Sequence, residues 1–213
     1  MGIAVLGASG RLGGLIAREA LARGHEVTAI GRSADRLAGL EGARAVEADV
    51  RDPESLRAAV AGHDAVASAV TDRTTPDRSI IPDTARTLLR VLPLAGVRRL
   101  VVVGGGGSLE VDGVRGIDRP DFPAEYRSEA VAQADALDVF RSAGDEVDWS
   151  YLSPPPHHLV PGERTGRYRV QAGDTPVVDA AGESRVTDAD LASALVDEIE
   201  QGRFLRQRFT IGY

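Results

Sequence analysis

The chain has 213 residues, 43% of them apolar, and a formal net charge of −7, which suits one α/β domain with a full core and excludes a broad basic face for nucleic acid. It contains no cysteine, so disulfides, thiolate nucleophiles and cysteine-bound metals are excluded, and redox chemistry has to come from a bound cofactor. All 25 basic residues are arginine, which excludes a Schiff base, a P-loop lysine and a Tyr-x-x-x-Lys pair.

Residues 3–6 read as a strand that runs into Gly7-Ala8-Ser9-Gly10-Arg11-Leu12-Gly13. Leu12, Leu15, Ile16 and Ala20 then make a helical stripe that stops at Gly24. Strand, glycine turn and helix in that order suit an anionic dinucleotide. Gly7 allows a sharp turn, Gly10 lets backbone approach a pyrophosphate, and Gly13 permits close helix–strand packing. The start of the helix offers free N–H groups to the anion. Ser9, Arg11 and Leu12 belong to the same turn and join the candidate cofactor-binding set.

Residues 26–30 and 43–48 read as the second and third strands, with a short helix near 35–40 between them. Asp52 is an N-cap and Pro53 a first helical residue, opening a helix that ends at Gly62. A fourth strand at 64–70, a polar loop at 71–79 and a helix at 82–95 follow. Residues 98–103 are a buried fifth strand, 124–143 the longest helix and 147–152 a sixth strand. This alternation predicts an α/β Rossmann-type doubly wound parallel sheet of order 3-2-1-4-5-6.

Residues 153–166 are rich in proline and turn formers. Strand-like pieces then stand near 168–170, 176–178 and 208–211, around a capped helix at 188–201. We read one domain, 1–213, with a cofactor-binding core at 1–152 and a small C-terminal substrate-side lobe at 153–213. The longest apolar runs fall far short of a membrane span and the first strand follows residue 1 directly, so the expectation is a soluble cytoplasmic protein with no membrane partner.

An acid at the end of the second strand would hold a ribose 2′-hydroxyl and repel a 2′-phosphate. Here that place is Gly31-Arg32-Ser33, so Arg32 and Ser33 form a candidate phosphate clamp, with Arg11 approaching from the opposite side. NADPH is favoured over NADH; the plainer reading is that both arginines are solvated. Asp49-Val50, after the third strand, is placed to meet the adenine, and Asp49 reads equally as a turn residue.

Four residues are candidates for the chemistry. Ser108 follows the glycine run at 104–107, whose bare backbone would let a flat ring approach, and it could hydrogen-bond a substrate carbonyl or simply cap a turn. Tyr126 opens the long helix and either reaches the cleft or sits at the surface. His157 and His158 follow three prolines; either could donate a proton near neutral pH, but neighbours in an extended loop point apart and no metal site is expected. On the long helix Ala130, Val131, Ala134, Leu137 and Phe140 make one apolar stripe towards the sheet, which favours a monomer over a homodimer.

The glycine spacing, Arg32, Asp49-Val50 and the proline-rich turn give the chain its family look. It resembles the atypical short-chain dehydrogenase/reductases, and more narrowly their NAD(P)H-binding, NmrA-like group of NADH-flavin reductase-like proteins, related to biliverdin-IXβ/flavin reductase. The resemblance is carried by residues 7–13, 101–105, 107–111, 152–154, 161–168 and 188–194. It implies a cofactor lying across the carboxyl ends of the strands, with Ala69, Val70 and Arg73 flanking ribose and pyrophosphate, and Ser153 and Pro154 in the segment 153–156 bordering the nicotinamide. The chain departs from typical members in that Tyr126 is followed four positions later by Ala130. A flavin or quinone can take its proton from solvent, so the expectation is an NADPH-dependent oxidoreductase reducing such a conjugated small molecule, with flavin a candidate substrate. A non-catalytic NADP(H)-binding sensor and a non-redox tailoring enzyme on the same fold stay open.

Overall fold

Four successive apolar residues after a glycine need cover on both faces, and β1 (Gly2–Leu6) finds it at the centre of a sheet. The computed structural model describes residues 1–71, 77–156 and 159–213. β1 pairs in parallel with β2 (Glu26–Gly31) on one side and β4 (Ala65–Ser68) on the other. β3 (Arg44–Glu47) lies outside β2, while β5 (Arg99–Val103) and β8 (Asp148–Ser153) extend the sheet beyond β4. This is the order 3-2-1-4-5-6 that the sequence predicts.

Two more strands continue it. β12 (Gln207–Gly212) runs parallel to β8, and β10 (Arg169–Ala172) closes the edge antiparallel to β12. Outside the sheet, β9 (Leu159–Val160) pairs with β11 (Val186–Thr187), and β6 (Glu110–Val111) pairs with β7 (Val114–Arg115) in a hairpin. That hairpin turns through Asp112 and Gly113, both at positive φ (56° and 74°), an Asp-Gly pair suited to a tight turn that our reading passed over.

α1 (Arg11–Ala22) and α5 (Asp188–Gln201) cover one face, where Ile3, Val5, Ile16, Leu152, Leu195 and Phe209 form the core. α2 (Pro53–Val60), α3 (Ile80–Leu94) and α4 (Ala124–Arg141) cover the other, packing on Leu6, Leu56, Leu88, Leu100, Phe140 and Tyr151. The segment 153–213 therefore divides. β12 and α5 join the main layers, whereas β9, β11 and the loop 161–168 stand beside the glycine turn.

Three local expectations change. The short helix after β2 is a single 3₁₀ turn, Ala34–Leu37. Residues 176–178 form no strand: Pro176 lacks an N–H, and Val177 is buried instead against Gly212 at the end of β12. On α4, Val131 is 42% exposed while Ala132 and Ala136 are buried, because the helix is covered by α3 as well as by the sheet and its buried face is broader than one stripe.

At the amino end of the sheet a buried ion pair joins α5 to the strands. Arg99 Nη2 donates to Glu198 Oε1 at 2.7 Å, and the same carboxylate accepts from the Ser150 hydroxyl and the Arg203 and Phe204 amides. No helix among the described residues is long and apolar enough to cross a membrane.

Candidate functional site

The glycine turn after β1 is built on contacts that allow no side chain. Gly7 has φ +75°, and a Cβ there would lie 2.7 Å from the Ala69 carbonyl oxygen at the end of β4. A Cβ on Gly13 would lie 2.2 Å from the Gly7 carbonyl oxygen, so the first turn of α1 rests directly on the strand. Gly10 occupies the N-cap position and has no side chain to cap with. The first amide to close a helical bond is that of Gly14, onto Gly10, so the amides of Arg11, Leu12 and Gly13 project from the helix end. This cradle fits a pyrophosphate: bare backbone, unspent donors and the positive end of a helix dipole converge. Ser9 is exposed, its Oγ beside Gly31 at the end of β2. Leu12 packs half-buried on the core.

Arg11 takes a different direction from the one its sequence position suggests. Its guanidinium donates to Asp188 at 3.0 Å, on the first residue of α5, and α5 packs against β4 and β5 while Arg32 stands beyond β1 at the end of β2. Asp188 is 8% exposed in its side chain and also accepts from the Gly162 amide at 3.1 Å. The neighbouring Asp190 accepts from the Thr165 hydroxyl and amide, the Gly166 amide and the Tyr213 hydroxyl. Burial by itself raises the Asp190 carboxyl, but these donors outweigh it and hold the group below the ordinary carboxylate range. The Asp188–Ala194 motif thus straps the loop 161–168 onto α1 and α5, a role that its acids after a β-branched N-cap could have suggested.

At the expected adenosine end, Arg32 is exposed and Ser33 is extended, with no capping bond from its hydroxyl. The acid at this corner comes from β3: Glu47 Oε1 accepts from the Ala34 amide at 2.8 Å. Asp49 accepts from the Arg51 amide at 2.9 Å, which is its turn role, and Val50 packs on the core beside it.

The loops after β5 and β8 meet each other. The glycine run 104–107 is filled by protein: added Cβ atoms would meet Tyr151, Gln133, the 154–156 backbone and Ala130 at 1.9 to 2.7 Å. These glycines serve internal packing, which replaces the expectation that they leave room for a flat ring. Tyr151 is fully buried, its hydroxyl 2.8 Å from both the carbonyl and Oε1 of Gln133, and burial raises its phenol well above the ordinary value. Ser108 is 8% exposed, and its backbone carbonyl accepts from Arg208. Ser153 is fully buried with its hydroxyl turned inward, and the Pro154 carbonyl lies against Gly106. Tyr126 is 62% exposed on the first turn of α4. Arg73, His157 and His158 lie outside the described residues.

Sequence reasoning missed Arg208. It is 3% exposed, and its guanidinium donates to Ser153 Oγ (2.8 Å), the Gly105 and Ser108 carbonyls (3.2 Å each) and Asp174 (3.1 Å). Burial lowers the Arg208 pKa, with Asp174 opposing. Thr84 was missed as well: its hydroxyl is buried without a hydrogen-bond partner among the described residues, in a small cavity bordered by Ser68, Val70, Val102 and Val103 at the carboxyl ends of β4 and β5. A larger groove of about 380 Å³ between α3 and α4 lies at the opposite, amino end of the strands.

Known proteins show the same architecture. The NAD(P)H-binding family profile matches residues 7–202. YwnB, an uncharacterised protein of Bacillus subtilis, is 37% identical over 99% of this chain and 98% of its own length. The crystal structure of a provisionally assigned NADH-flavin reductase from Streptococcus pneumoniae shares 36% identity with a TM-score of 0.86, covering 100% of this chain and 99% of that one. A provisionally assigned exported protein from Burkholderia pseudomallei shares 43% identity with a TM-score of 0.89, each chain covered completely. With its glycine cradle, sheet order and full-length relatives in agreement, the chain belongs to the NAD(P)H-binding family, consistent with the atypical, NmrA-like short-chain dehydrogenase/reductases that its sequence resembles.

Proposed function

We propose that the protein is an NADPH-dependent oxidoreductase that reduces a flavin, a quinone or a similar conjugated small molecule, acting as a monomer in the cytoplasm. The observation that carries this reading is the open start of α1, where the amides of residues 11–13 face outward over a turn with no room for a Cβ at Gly7 or Gly13. NADPH would supply the hydride. The amides would hold its pyrophosphate, and Arg32 and Ser33 its 2′-phosphate, at a β2 end that carries no acid of its own. Ala69 and Val70 border the same cleft beyond Gly7, and Ser108 places a hydroxyl in the loop after β5. The missing Tyr/Lys pair is tolerable for an acceptor that takes its proton from solvent. The name given to the Streptococcus pneumoniae relative points the same way.

Fluorescence titration with NADPH and NADH, for the wild type and Arg32→Asp, tests the clamp, and NADPH oxidation with FMN or a quinone tests the chemistry. We expect tighter binding of NADPH, a preference that Arg32→Asp abolishes, and turnover with at least one acceptor. Equal affinity of the wild type for both nucleotides refutes the clamp. A non-catalytic NADP(H)-binding role is the second reading. The protein-filled space around residues 104–107 favours it, and NADPH binding without oxidation by either acceptor would select it.

A further inference from the structure

Arg208 is a charged residue in an interior position, and its partners share one property. Two of them, the Gly105 and Ser108 carbonyls, lie in the loop after β5; a third, the Ser153 hydroxyl, ends β8. The fourth, Asp174, also accepts from Arg141, and its backbone carbonyl accepts from the Glu110 amide at 2.8 Å, so the β6–β7 hairpin is tied to the same point. Between these ties Gly106 rests on the backbone of 154–156, closer than a Cβ would allow. One planar fork with five donors therefore fixes the relative height of two loops and a hairpin, which the three donors of a lysine would not reproduce.

We infer that Arg208 is a positioning residue for the substrate site: it locks the Ser108 loop onto the 153–156 segment, and so sets where their joined rim stands at the carboxyl ends of β5 and β8. The inference rests on the functional reading above, in which those two loops border the reacting ring. Arg99 gives the contrast. It too is a buried arginine bound to carbonyls, a serine and a carboxylate, but its partners Asp148, Ser150 and Glu198 stand at the amino end of the sheet and touch no candidate residue. A purely structural role for Arg208 would make the two arginines equivalent in every assay but stability.

The test compares Arg208→Met and Arg208→Lys with Glu198→Ala, at a temperature where all are folded. It reads NADPH affinity, kcat and KM with FMN, and hydrogen exchange along the backbone. For Arg208→Met we expect NADPH affinity within about twofold of wild type and kcat lower by about tenfold to a hundredfold, as misplacement by about 1 Å produces. Exchange should quicken in residues 104–110 and at the Ser153 amide alone, since residues 154–156 are prolines without an N–H, and Arg208→Lys should recover part of the loss. The inference is overturned if exchange in those loops is unchanged or rises everywhere, or if kcat falls no further than in Glu198→Ala. If the wild type oxidises no NADPH with either FMN or a quinone, the functional reading fails by itself and the exchange pattern alone decides the role of Arg208. Should Arg208→Met not fold, Arg208→Lys carries the same comparison.

Discussion

Replacing Gly13 by alanine tests the cradle at its tightest point. The new Cβ would stand 2.2 Å from the Gly7 carbonyl oxygen and 2.6 Å from its carbon, both backbone atoms with no rotamer to change. Restoring an ordinary contact requires α1 to lift by about 1 Å. Overpacking costs about 1–3 kcal/mol, and an alanine in a helix recovers about 1 kcal/mol over glycine. With rigid backbone on both sides we expect a net loss of about 2 kcal/mol, or about 4–8 °C in Tm for a chain of this length. Because the amides of residues 11–13 move with the helix, NADPH affinity should fall by about tenfold, equivalent to about 1.4 kcal/mol. Gly14→Ala is the internal control: its Cβ meets only the Ala8 carbonyl, at 3.3 Å, a contact relieved by a few tenths of an ångström. With the same gain of about 1 kcal/mol from alanine in the helix set against that mild contact, its stability should be equal to wild type or higher by up to about 1 kcal/mol. Thermal denaturation and calorimetric NADPH titration read both quantities. A Gly13→Ala protein as stable as wild type and equally able to bind NADPH would refute the argument.

Two further outcomes follow from buried charges. Glu198→Ala leaves the Arg99 guanidinium, 12% exposed in its side chain, without its carboxylate, and should cost about 3–5 kcal/mol in urea unfolding; a loss below about 1 kcal/mol would mean that the pair contributes nothing beyond its solvated alternative. The Asp190 carboxyl is raised by burial but lowered further by its donors, so its folded pKa lies below the unfolded one. Its contribution is then complete above about pH 4 and lost as pH falls through the folded value. Asp190→Asn should be less stable at pH 7 and show a shallower decline under acid, and equal slopes for the two proteins would overturn this.

The strand and glycine turn at the start of the chain were legible because their requirements are written in residue type. A turn with no room for Cβ needs Gly7 and Gly13, and a strand buried on both faces needs the uninterrupted run of β1. The join between the loops after β5 and β8 was not, because the arginine that makes it is hidden by an alternation that reads correctly for the strand and wrongly for the environment. In Gln207-Arg208-Phe209-Thr210-Ile211, Phe209 and Ile211 face the α1–α5 core. Arg208 and Thr210 then fall on what looks like a solvent face, yet the 104–110 loop and Asp174 cover it, a tertiary fact that no local period carries. Arg11 was misdirected for a similar reason: its position in the turn is local, but Asp188, which draws it away from Arg32, is 177 residues distant. The β6–β7 hairpin, by contrast, was readable in Val111-Asp112-Gly113-Val114 and was overlooked.

The position of β12 bears on how the molecule is made. Of the sheet strands it is the latest in chain order, yet it sits between β8 and β10 and is no edge. During synthesis β8 must therefore wait with an unpaired margin until residues 207–212 leave the ribosome, a window in which another nascent chain could pair with it. Arg208 arrives in that same instalment, so the loops it gathers stay loose until translation has passed Ser108 by 100 residues and Ser153 by 55. Locking of the loops after β5 and β8 and sealing of the sheet are thereby one event.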